Sequence, residues 1–113
     1  MQKALFYIVA SENERERAVI ALNMARRAHE FKRFADVKII MQGSSQKLLL
    51  DEDKNVKENI DYLISNNVID SACTFIAKNL SIEEKIQSRG VELKPAGERL
   101  SAFVNDGYVP LVF

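Results

Sequence analysis

Apolar residues in this chain fall into short blocks separated by stretches of helical period, and the blocks define the elements. Ala4 to Ala10 is an unbroken apolar run rich in aliphatic and aromatic residues. It predicts a first strand covered on both faces. Ser11 and Glu14 have capping-box spacing, so a helix is expected from near residue 12 to about Phe34. Ala18, Ala21, Ala25 and Ala28 recur at helical spacing and form a row of small residues that can lie close against a sheet. Leu22 and Met24 widen that stripe, and Arg15, Arg26 and Arg27 are expected to face mainly water.

Asp36 to Met41 reads as a second strand ending at Gln42-Gly43-Ser44-Ser45, with a short helical turn over Gln46 to Leu50. Asp51-Glu52-Asp53 leads into an amphipathic helix with Val56, Ile60, Leu63 and Ile64 on one face, ended by Asn66-Asn67. Val68 to Ala72 is the third strand. Ser81 to Glu84 offers a second capping box, and Gly90 a helix stop. Val91-Glu92-Leu93 is a brief fourth strand, and Pro95 opens a last helix with Leu100, Phe103 and Val104 inward and Gly107 at its end. Tyr108 to Phe113 is the fifth strand, which Pro110 confines to an edge or an unpaired position. Strands alternate with helices throughout. The expectation is an α/β fold: a three-layer α/β/α sandwich on a mostly parallel five-stranded sheet, one domain over residues 1–113.

Composition narrows the function classes. Sixteen basic residues balance sixteen acidic ones without a basic stripe, which gives no support for nucleic acid or an anionic membrane as partner. The apolar N-terminal run is short and reads as a buried strand rather than a signal peptide. No stretch approaches the roughly 20 apolar residues that span a bilayer. A single cysteine has no intramolecular disulfide partner and suits a reducing compartment, so a cytoplasmic location is expected.

Ligands of open α/β sheets sit beyond the carboxyl ends of the strands. Here those ends are Ser11-Glu12-Asn13, Gln42 to Ser45, Cys73-Thr74 and Lys94 to Gly97. One of them carries the only thiol. Cys73 at a strand-to-helix junction reads as a nucleophile, activated by the helix start and by Lys78, or as a small buried hydrophobe. His29 lies on the long first helix, far from the strand ends, and reads as a surface residue. One His and one Cys do not make a metal site. Gly43-Ser44-Ser45 matches no phosphate-binding fingerprint. Glu12, Glu14 and Glu16 read as an exposed helix start, and Phe6 and Tyr7 as core.

The order of elements and the place of Cys73 resemble the DsrE/DsrF-like proteins, which include YchN and the TusD-type sulfur-relay subunits. The likeness spans the chain: the opening strand and alanine-bearing helix, Val37 to Met41, Asn67-Val68 with a cysteine five residues after the valine, Gly90 to Leu93, and the closing Tyr108 to Phe113. It implies a homo-oligomer, trimer or hexamer, whose cysteine after the third strand carries sulfane sulfur as a persulfide or thiosulfonate. It also implies a TusA-like carrier or a rhodanese as donor or acceptor, and no cofactor. Where some relatives have a second cysteine this chain has Ala72, Thr74 and Phe75, so any resolving thiol belongs to a partner. The expected function is therefore a sulfur carrier or sulfurtransferase-type protein using Cys73, with backbone N–H groups of Thr74 and Phe75 as partners of the thiolate. The alternative is a non-catalytic assembly or regulatory subunit with a structural cysteine. A small-ligand or nucleotide-binding domain is a third reading, resting on sheet topology alone.

Overall fold

The computed structural model describes residues 1–113. The chain forms β1 (Lys3–Ile8), α1 (Arg15–Glu30), β2 (Asp36–Met41), α2 (Lys54–Ser65), β3 (Ile69–Cys73), α3 (Thr74–Asn79), α4 (Glu83–Ser88), β4 (Leu93–Lys94), α5 (Ala96–Asn105) and β5 (Tyr108–Val112). Two 3-10 segments, Glu12–Glu14 and Gly43–Leu50, follow the first two strands. All five strands join one sheet in the order β4-β3-β2-β1-β5, and every neighbouring pair is parallel.

That order explains the layers. The chain steps from β1 to β4 in one direction, then returns across the sheet to place β5 beside β1. Right-handed crossovers put the stepping helices on one face and the returning helix on the other. A 23-residue core accordingly joins α1, α2, Ala77 of α3 and Ile86 of α4 to one face of the sheet. A five-residue core of Leu5, Ile40, Cys73, Ala96 and Phe103 joins α5 to the other. The result is a three-layer sandwich whose second helical layer is α5 alone.

Register sorts the side chains. β1 pairs with β2 without interruption from Lys3↔Asp36 to Ile8↔Met41. Ala4, Phe6 and Ile8 therefore share the large core with Val37, Ile39 and Met41, while Leu5 and Ile40 point to the small one. Between β2 and β3 the register shifts: Ile39 pairs with Ile69, but Ile40 pairs with Ser71. Asp70 is the extra residue of this bulge, and beyond it Ala72 faces the large core and Cys73 the small one.

Several local expectations need correction. α1 stops at Glu30, because Lys32 turns left-handed (φ 51°) and brings Phe34 back against the core. Neither Ser11 nor Ser81 caps a helix: the α1 and α4 starts carry no side-chain cap, and Ser81 itself has φ 55°. Met24 and Val104 point outward, about half exposed. Arg26 is half-buried, paired with Glu30 (2.6 Å) and lying over the Tyr62 ring. No helix is long and apolar enough to cross a membrane.

Candidate functional site

The chains leaving β1, β2 and β3 all turn toward the large-core face, whereas the chain leaving β4 enters α5 on the other. β3 and β4 are neighbours, so their carboxyl ends diverge to opposite faces. Such a divergence is where a doubly wound sheet opens a crevice. Cys73 and Lys94 are the in-register pair at that point.

Cys73 ends β3 in extended geometry (φ −66°, ψ 120°) and is the residue from which α3 starts. Its side chain makes no capping hydrogen bond to that helix, so the expected contacts with the Thr74 and Phe75 N–H groups do not form. The residue is 7% exposed, among Leu5, Ile40, Ala96 and Phe103, with Tyr7, Ile76, Leu100 and Tyr108 at the edge of the cluster. Phe75, next along the turn, is 70% exposed. Lys78 falls in the last turn of α3, at the wrong end to act on the thiol.

Gln46 and Asp70, absent from the sequence-based site, join Lys94 of the β4 end around Cys73. Gln46, wholly buried in the second 3-10 segment, donates from Nε2 to the Cys73 carbonyl (3.1 Å) while its Oε1 has no partner. Asp70, on the bulge, accepts both forks of Arg99 from α5, each at 3.0 Å. Lys94 Nζ lies 3.5 Å from Asp70 and 3.2 Å from Glu92. Burial opposes the charge on Asp70, but the Arg99 hydrogen bonds and the positive field of Lys94 and Arg99 outweigh it, so its carboxyl titrates below the usual range. An acid inside the apolar run Val68 to Ala72 was the one visible signal for this pair.

The remaining candidates lie elsewhere. His29 is half-buried between α1 and α2, its Nδ1 hydrogen-bonded to the Tyr62 hydroxyl at 2.7 Å, across the sheet from Cys73. Phe6 is core, stacked on Phe113, and Tyr7 is partly buried with its hydroxyl accepting from Gln42 Nε2 (3.3 Å). No group of three or more His, Cys, Asp or Glu side chains is placed to hold a metal. The Gly43-Ser44-Ser45 turn is internally satisfied, with Ser45 Oγ donating to the Ile8 and Gln42 carbonyls. It borders a cavity of about 300 Å³ beyond β1 and β2, where Arg15 pairs with Asp51 and Lys47 with Glu12. A larger, open cleft of about 530 Å³ runs between Leu49, Lys57, Lys85 and Arg89. Neither includes Cys73.

No known protein-family profile matches the chain, and no curated protein resembles it in sequence. Among solved structures it is similar to BT1422, a conserved protein of unknown function from Bacteroides thetaiotaomicron. The two superpose with a TM-score of 0.78 at 20% identity, over 98% of this chain and 95% of that one. At that identity the likeness speaks for the fold.

Proposed function

We propose that this chain is a single-thiol sulfur carrier, loaded with sulfane sulfur at Cys73. The observation that carries the reading is the place of the only thiol, at the carboxyl end of β3 where the chains leaving β3 and β4 part to opposite faces. The resemblance to DsrE/DsrF-like proteins supplies the chemistry. The Cys73 thiolate attacks the outer sulfur of a donor persulfide, R–S–SH, forming Cys73–S–SH and releasing R–S⁻. An acceptor thiolate then takes the outer sulfur as its own persulfide and returns Cys73 as thiolate. Donor and acceptor are of the TusA-like or rhodanese kind, and the carrier works as a cytoplasmic homo-oligomer, a trimer or hexamer. Mass spectrometry after incubation with polysulfide or a persulfidated donor tests this. One added sulfur, absent from Cys73→Ala, is expected; no adduct on a folded protein overturns the reading.

The 7% exposure of Cys73 favours a second reading, an assembly or regulatory subunit of the same fold in which the thiol is packing. It predicts slow alkylation at every pH up to unfolding and partner binding unchanged in Cys73→Ser.

A further inference from the structure

The two helical layers are held very differently. α1 and α2 are set into the 23-residue core, whereas α5, the whole of its layer, buries Ala96 and Phe103 in a five-residue cluster whose other members are Leu5, Ile40 and Cys73. Gly97, Glu98, Ser101, Ala102, Val104 and Asn105 of α5 all face solvent. Arg99 is the one α5 side chain hydrogen-bonded to the sheet, through its paired bonds to Asp70. The same guanidinium lies 5.0 Å from the centre of the Phe103 ring, so one residue ties the polar and apolar attachments together. The helix runs between Pro95 and Gly107, the latter with φ 89°.

Cys73 lies under this weakly seated helix, sharing its cluster with Ala96 and Phe103. Sulfur exchange requires a second sulfur to approach the thiolate along the bond it breaks, which a thiol 7% exposed does not allow. We propose that α5 is a cover over Cys73 and that the Asp70–Arg99 pair is its latch. This rests on the sulfur-carrier reading for its purpose, though not for its geometry. Asp70 sits on the bulge three residues before the thiol, so the latch closes on the strand that carries Cys73. A partner that offers Arg99 a carboxylate of its own exchanges one ion pair for another and frees the helix, which couples docking to access.

The test is the native-state alkylation rate of Cys73 with iodoacetamide, read beside amide exchange of residues 96–105. Arg99→Gln removes the fork and is expected to alkylate about tenfold faster, the lower range for losing a charge-assisted bidentate pair. Arg99→Lys keeps the charge but not the fork and falls between. Ile60→Val loosens the opposite face and leaves the rate at the wild-type value. Exchange over α5 rises with alkylation in Arg99→Gln while α1 and α2 stay protected. Wild-type alkylation in both Arg99 variants, or acceleration matched by exchange in α1 and α2, overturns the proposal. Alkylation reports access alone, so a failure to form persulfide counts against the carrier reading and not against the cover.

Discussion

Among single residues, Cys73 was legible in position but not in surroundings. Its place after the third strand follows from local pattern, whereas its burial depends on α5, which arrives more than twenty residues later by crossing the sheet. Gln46 was hidden for the same reason. In sequence it is a polar residue in a turn, and only the approach of β3 turns it into a buried donor to the Cys73 carbonyl. Tyr108 shows a long-range effect with a measurable consequence. Burial, then the hydrogen bond its hydroxyl donates to Asp36, pushes its pKa from 10.0 up to about 12. The unfolded chain loses this proton from about pH 10 upward, while the folded protein keeps it to about 12. The stabilisation is therefore fully present below pH 10 and is lost as pH rises through 12. Denaturant unfolding between pH 9 and 12 is expected to show a shallower loss of stability in Tyr108→Phe than in wild type. Equal slopes would contradict the assignment.

For the elements, hydrophobic period locates four of the strands and the three longer helices, with β2 on the expected residues, whereas β4 lies at Leu93–Lys94 and not over Val91 to Leu93. Helix starts are less legible, because capping-box spacing specifies which residues could bond, not whether the chain enters the helix at that residue. At Ser11 the chain inserts a 3-10 turn, with Glu14 N–H donating to the Ser11 carbonyl at 2.8 Å, and α1 begins four residues later. At Ser81 the left-handed backbone moves the hydroxyl away from the helix start. Asp53 is the acid that does cap: its Oδ1 accepts from Asn55 N–H (3.0 Å) and Val56 N–H (3.2 Å). Asp53→Ala is expected to cost about 1 kcal/mol, and Ser11→Ala and Ser81→Ala less than about 0.5 kcal/mol each. Urea midpoints of the three variants check this, and a Ser11→Ala loss equal to that of Asp53→Ala would contradict it.

Across the whole molecule, alternation of strands and helices implied parallel pairing, but the strand order was not readable, because it depends on which way each crossover turns. The return of α5 over the second face sends β5 to the outer side of β1 and makes it an edge. Pro110 then has a definite job. Phe113 N–H donates to the Tyr7 carbonyl (3.0 Å), and its own carbonyl accepts from Val9 N–H (2.7 Å). Backbone groups alternate along a strand, so the odd residues of β5 bond to β1 and the even ones face the open edge. Pro110, paired with Leu5, removes a donor from the outward row and none from the ladder. Val109 and Val112 are exposed on the same strand, so an uninterrupted edge here would be a template for another chain. Pro110→Val restores the donor and adds a β-branched residue between Tyr108 and Val112. Its fold is expected to survive with stability within about 1 kcal/mol of wild type, since no internal hydrogen bond is lost. Its mass by light scattering is expected to climb with concentration beyond any assembly the wild type forms. A Pro110→Val protein that keeps the wild-type mass over the same range would show that the edge is protected by something other than its proline.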